Sequence, residues 1–202
     1  MSRATFASAA RAFTELVRGI PESAWDEPGL GEWDVRSLVG HTSRSLITVS
    51  SYLRATPDRE DLAGPVEYYL YARDFASNAG AEAIVERGRQ AGRDLGGDPA
   101  ATVDHLVAQA LDDLDAVADP LIAVIGGAGM RLSAYLPTRT FEMAVHGLDI
   151  AGATGVEFAM PADVLVEATV LATRIGVALG QGETVLSALT GRTALPAAFS
   201  VV

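Results

Sequence analysis

Phe6, Ala9, Ala10, Phe13, Leu16, Val17 and Ile20 recur at spacings of three and four residues. That is the stripe of a helix burying one face, and Pro21 ends it. After a turn-rich segment with Pro28, Gly29 and Gly31, Asp34 stands where an N-cap opens a second helix over Val35 to Leu53. Leu38, Leu46, Val49 and Leu53 face inward from it, and His41 lies in its second turn. Between Thr56 and Gly80, Pro57, Gly64, Pro65 and the aromatic cluster Tyr68, Tyr69 and Tyr71 predict a loop followed by a short helix. Ala81 to Leu95 and Ala100 to Ala118 read as helical, the second opened by Asp98 and Pro99, and together they can form one bent unit. Leu121 to Ser133 is the one stretch that reads as extended chain, kept short by Gly126, Gly127 and Gly129. A strongly patterned helix is expected from Pro137 to Thr154 with Gly155 as its stop, another from Pro161 to Leu179, and a short one from Glu183 to Thr190 before a coiled tail.

The sum is an all-α fold, a four-helix bundle with additional short helices. With 202 residues, no fixed-period repeat and no linker-like tract, residues 1–202 read as a single domain. Hydrophobic residues make up 49% and charged residues 20%, enough apolar surface to offset the ordering entropy of the chain.

Charge and composition remove several function classes. The net charge of −11 repels a phosphate backbone, so nucleic acid is not an expected partner. The absence of Cys excludes disulfides, thiolate metal sites and a cysteine nucleophile. All 15 basic residues are Arg, so no Lys can form a Schiff base or complete a Walker P-loop. No apolar run approaches the ~18 residues of a membrane span, and the N-terminus lacks the layout of a secretion signal. A cytoplasmic protein without membrane partners is expected.

The glycine pairs Gly127/Gly129 and Gly180/Gly182 lack the third glycine and the strand-to-helix setting of a pyrophosphate loop. Ser43, Ser45, Ser50 and Ser51 read as helix surface and packing, because no nucleophile elbow accompanies them. Three histidines remain: His41, His105 and His146. Glu142 and His146 are four residues apart on one predicted helix, so they share a face and can grip one ion. With 26 acidic residues in the chain, such a pair is a common coincidence. Its weight comes from its neighbours Phe141, Val145 and Leu148, which place it on a helix expected to bury most of its circumference, where an ionised carboxylate needs a partner or a metal. An internal ion pair of Glu142 with His146 or Arg139 explains the same pattern. His105, beside Asp104, reads as a solvated helix residue. Asp149, three residues past His146, either steadies its imidazole or is a surface carboxylate.

GEWDVRSLVGHTSRSL, Gly31 to Leu46, resembles the segment of DinB-like, mycothiol-dependent maleylpyruvate isomerase proteins in which a Trp precedes a capped, His-bearing helix. RTFEMAVHGLDIAGATG, Arg139 to Gly155, is similar to that group's Arg-x-x-Glu-x-x-x-His-x-x-Asp helix, and ALTGRTALPAAFSVV looks like an ending common in it. The resemblance implies a DinB-like bundle in which His41, Glu142 and His146 hold a divalent metal, usually zinc. Asp149 would then support a ligand, and Arg139 would orient Glu142 or a substrate carboxylate. It also implies a low-molecular-weight thiol, mycothiol, as co-substrate, attacking a small electrophile in a metal-dependent S-transferase or isomerase reaction. Which protein group acts as catalyst beyond the metal-activated thiol is left open. The characterised isomerases carry a further C-terminal domain, so thiol transfer to another electrophile, or an isomerisation or detoxification using the same thiolate, is expected here rather than maleylpyruvate isomerisation itself. Two rival readings stand beside this one: a non-catalytic metal- or small-ligand-binding stress or regulatory bundle, and a bundle with no metal and an internal ion pair. The oligomeric state stays open, a homodimer included.

Overall fold

The computed structural model describes residues 2–202, and the side chains of all of these except 2, 76–79 and 81. Its helices are α1 (Ser2–Arg18), α2 (Val35–Tyr52), α3 (Pro65–Ala79), α4 (Ala81–Asp94), α5 (Pro99–Asp115), α6 (Leu132–Thr154), α7 (Ala162–Ala178) and α8 (Gly182–Leu189). Two antiparallel hairpins interrupt them, β1 (Pro28–Leu30) with β2 (Trp33–Asp34) and β3 (Leu121–Ala123) with β4 (Gly129–Arg131).

The helix boundaries follow local chemistry. Asp34 accepts from the Ser37 amide at 2.7 Å and Asp98 from the Ala101 amide at 3.0 Å, so α2 and α5 each begin on an aspartate N-cap. Gly155, at φ 72°, ends α6 with its amide bonded to the Ala151 carbonyl. The α1 stripe of Phe6, Ala9, Ala10, Phe13, Leu16 and Val17 is buried throughout.

Helices α1, α6, α2 and α5 pack in that cyclic order, each against the next, and close a four-helix bundle. The core between them is built from Phe6, Phe13, Leu38, Leu46, Leu136 and Met143, all almost wholly buried. Outside the bundle, α4 lies along α2, α7 packs on α6, α1 and α3, and α8 packs on α7. Small residues let α4 come so close: a Cβ built on Gly40 would sit 2.2 Å from the Gly92 amide nitrogen.

Several elements depart from the pattern read in the sequence. The segment Pro65–Ala79 is a full 15-residue helix rather than a short one, with Pro65 in its first turn. The extended stretch Leu121–Ser133 is a hairpin across a Gly-rich turn, and it is not the only extended chain, because residues 28–34 form another. Helix α6 begins at Leu132, five residues before Pro137. Asp119 makes this start possible by accepting from the Ser133 amide at 2.7 Å and the Ser133 hydroxyl at 2.8 Å. Helices α4 and α5 are separate, divided at Gly96 (φ 69°): both pack on α2, but α5 also packs on α1 and α4 on α3. Leu148 is 57% exposed, so the outer face of α6 is open where burial was expected. Ser43, Ser45 and Ser50 are interior, and Ser43 satisfies its hydroxyl on the Val39 carbonyl.

Candidate metal centre

Three helices deliver the groups of the site. His41 comes from the second turn of α2, Glu142 and His146 from successive turns of α6, and Tyr68 and Tyr69 from the first half of α3. His41, Glu142 and His146 each offer a ligand atom, and the three atoms lie within 4.8 Å of one another. His146 Nε2 stands 3.5 Å from Glu142 Oε2, and the two imidazole centroids are 5.1 Å apart, nearly perpendicular.

Each member is held by a neighbour. His146 Nδ1 lies 3.0 Å from Asp149 Oδ2, a contact in which the ring nitrogen donates. That places the proton on Nδ1 and turns the Nε2 lone pair of the neutral ring towards Glu142 and His41. The indole of Trp33 covers His41 at a centroid distance of 4.5 Å and donates its own N–H to the Val85 carbonyl at 2.9 Å. Glu142 Oε1 accepts from the Tyr69 hydroxyl at 2.7 Å.

The electrostatics follow from burial and pairing. Burial, reinforced by the nearby His146, lowers His41 to about 4, so its ring is neutral at physiological pH. Burial alone would raise Glu142, but the hydrogen bond to His146 and the charge of Arg139 bring it down to about 2. Burial would lower His146, yet the hydrogen bonds to Asp149 and Glu142 outweigh it and lift the ring to about 9. Without a metal, His146 is therefore an imidazolium between two carboxylates. A divalent ion would take the place of its Nε2 proton.

Arg139 acts on Glu142 through charge rather than contact. Its guanidinium donates to the Tyr68 hydroxyl at 3.1 Å and to Thr138 Oγ1 at 3.0 Å, and lies over the rings of Tyr135 and Tyr68. A cavity of about 170 Å³ opens beside two of the three ligands, with His41, Glu142, Tyr68, Arg44, Arg87 and Arg139 in its wall. A larger groove of about 690 Å³ between α6, α7, α8 and the tail has no acidic, basic or imidazole side chain in its wall and does not reach these ligands. His105 is exposed on α5, apart from the site.

Of the residues singled out in the sequence, the fold thus brings together His41, Glu142, His146, Asp149 and Arg139. It adds Tyr69, Tyr68, Trp33, Arg44 and Arg87. The Tyr68/Tyr69 pair was visible as an aromatic cluster without an assigned role, whereas nothing in a single sequence marks Arg44 or Arg87 among 15 arginines.

The stretch from residue 6 to residue 151 matches the mycothiol maleylpyruvate isomerase N-terminal domain. The chain belongs to that family. The matched span runs from α1 nearly to the end of α6, and so includes every helix of the bundle and all the groups of the candidate centre. No curated protein and no solved structure matches the chain. Among the described residues, no helix is long and apolar enough to cross a membrane.

Proposed function

We propose that this member of the mycothiol maleylpyruvate isomerase N-terminal domain family binds a divalent ion, zinc, through His41, Glu142 and His146, and uses mycothiol to attack a small electrophile in an S-transferase or isomerase reaction. The observation that carries the reading is the convergence of three ligand atoms within 4.8 Å, with the Nε2 lone pair of His146 directed into the group by Asp149. The donor set fits the ion: two imidazoles and one carboxylate are the ligands of catalytic zinc sites that keep a position for water or substrate. A bound divalent ion supplies a thiolate at neutral pH by acidifying a coordinated thiol.

The residues around it have separable roles. His41 is neutral without help from a base, so its ring is ready to ligate. Asp149 holds the Nδ1 proton of His146 and fixes the tautomer. Trp33 closes one side of His41, which excludes water from that ligand. The cavity walls bring Arg44, Arg87 and Arg139 beside the ligands, a cationic edge in a chain of net charge −11. This favours an electrophile that carries an oxyanion such as a carboxylate.

The adjoining cavity favours catalysis over the non-catalytic alternative. Among the described residues three ligand groups meet, not the closed set of four typical of a structural zinc, and Asp149 is engaged with His146. The metal-free ion-pair alternative accounts for Glu142 and His146 but gives no reason for a second, neutral histidine in the cluster.

Metal analysis and thiol consumption in parallel test the reading. Wild-type protein purified without chelator is expected to hold about one zinc per chain. It should also consume mycothiol against at least one of a panel of electrophiles. Glu142→Gln and His41→Ala should bind zinc more weakly, come out of purification without it and lose turnover, while keeping the helical fold. Folded wild-type protein that binds no zinc ends the metal reading, and full turnover in zinc-free Glu142→Gln ends the mechanism.

A further inference from the structure

The two oxygens of Glu142 have different partners. Oε2 faces the ligand nitrogen His146 Nε2 at 3.5 Å. Oε1 accepts the Tyr69 hydroxyl at 2.7 Å. The same hydroxyl oxygen lies 3.2 Å from the Thr138 carbonyl, but its single proton goes to the shorter contact with the charged acceptor. Tyr69 cannot easily swing away. Its ring is wedged edge-on between Tyr68, at 5.6 Å, and Phe141, at 5.3 Å.

From this geometry we infer that Tyr69 is a positioning residue that restricts Glu142 to one-oxygen ligation, and so keeps a coordination position of the ion free for the thiol. The inference rests on the proposed metal reading. A carboxylate chelates through both oxygens only if both turn to the ion, and each then occupies a position. With Oε1 committed to Tyr69, two nitrogens and one oxygen come from the protein, and the remaining position is open to an exogenous ligand. Removing the hydroxyl while keeping the ring frees Oε1, which lets Glu142 rotate and fill the position the thiol needs. Donors held behind metal ligands commonly alter site properties about 10–100-fold when removed.

Cobalt(II) loaded in place of zinc reports the geometry directly. Full-length wild type, Tyr69→Phe and Glu142→Gln,Tyr69→Phe are compared by visible absorption, by titration with N-acetylcysteine as the thiol probe, and by melting temperature. In wild type a four-coordinate cobalt spectrum is expected, with a thiolate-to-cobalt band growing as the probe is added. In Tyr69→Phe the visible intensity should fall towards that of a five-coordinate ion, and the probe concentration for half-saturation should rise about tenfold. The phenylalanine keeps the ring packing, so cobalt should still bind. A glutamine amide offers one oxygen to the ion whatever Tyr69 does, so the Tyr69→Phe change in a Glu142→Gln background, at excess cobalt, should leave the spectral shape of Glu142→Gln unaltered. A purely structural tyrosine would lower the melting temperature without moving the spectrum or the thiol titration. Identical spectra and titrations in wild type and Tyr69→Phe overturn the inference and leave the metal reading intact. Wild-type protein that gives no cobalt spectrum sensitive to His41→Ala overturns both.

Discussion

Asp149 accepts the Nδ1 proton of His146 at 3.0 Å, within one turn of α6, and so decides which nitrogen of that imidazole faces Glu142 and His41. Asp149→Ala removes the acceptor while leaving the ligands in place. Zinc affinity, measured by competition with a chromogenic chelator, should fall about 10–100-fold. The circular dichroism of the metal-free protein should stay helical, because Asp149 lies at the rim of the core. Unchanged affinity would make the aspartate a surface carboxylate with no part in the site.

The metal-free protein should be most stable near pH 6.5, where two histidines of opposite shift meet. His41 is lowered from 6.5 to about 4, so between these values the unfolded chain binds a proton that the fold refuses. Stability therefore falls as pH drops through that window. His146 is raised from 6.5 to about 9, so the fold keeps a proton there that the unfolded chain has lost. Its contribution is complete below 6.5 and disappears as pH rises through 9. Thermal unfolding of metal-free protein across pH 4 to 10 should give a peaked curve. His146→Gln should flatten the alkaline limb, and zinc should do the same, since ligation removes the Nε2 proton. A curve with the same alkaline limb in His146→Gln would assign that limb to another group.

Gly40 should tolerate no side chain. A Cβ there would meet backbone atoms of Ala91 and Gly92 on α4 at 2.2 to 2.6 Å, and backbone cannot turn aside as a flexible side chain does. Gly40→Ala is expected to destabilise the fold by about 1–3 kcal/mol, the range for overpacking, and to push α4 from α2. Chemical denaturation measures the loss. A gain in stability, as expected for Ala over Gly in an unobstructed helix, would mean that the two helices do not pack so closely in solution.

Most of the bundle was legible in the sequence because its signals are local. Asp34, Asp98 and Gly155 punctuate α2, α5 and α6 through bonds within their own turns, and the Phe6-to-Val17 stripe needs only a period. The start of α6 was not legible. It depends on Asp119, 14 residues before Ser133, accepting from the Ser133 amide in the first turn, while Pro137 is a misleading mark inside the helix. The two α6 ligands, Glu142 and His146, could be paired from spacing alone, as could Asp149 with His146. His41 could be attached to them only through a family resemblance, since it sits about a hundred residues away on another helix. Tyr69 was hidden for the same reason: its bond to Glu142 spans 73 positions and leaves no periodic trace.

Arg44 on α2 and Arg87 on α4 reach the same cavity wall as buried Arg139, and neither the Arg44 nor the Arg87 guanidinium has a hydrogen-bonding or ion-pairing partner among the described residues. In an acidic protein, unpaired guanidinium groups beside a ligand cluster form a receptor for an oxyanion, because a carboxylate satisfies two N–H donors at once. Succinate, used as an unreactive dicarboxylate probe, should therefore bind zinc-loaded protein in calorimetry at low ionic strength, whereas succinamide, of similar shape but neutral, should not. Replacing both arginines by glutamine should weaken succinate about tenfold, a loss of about 1.4 kcal/mol and at the low end of what a hydrogen bond to a charged group contributes. Zinc should still bind with no loss of affinity, because the substitutions remove positive charge beside the ligands, that of Arg44 acting on His41. Arg131→Gln serves as the control, since Arg131 pairs with Glu60 at 3.5 Å outside the cavity. Added salt should weaken succinate binding in wild type more than in the double variant, as screening acts on the charges that were removed. Equal binding of succinate and succinamide, or full succinate affinity in the double variant, would show that the cavity does not select its ligand by charge.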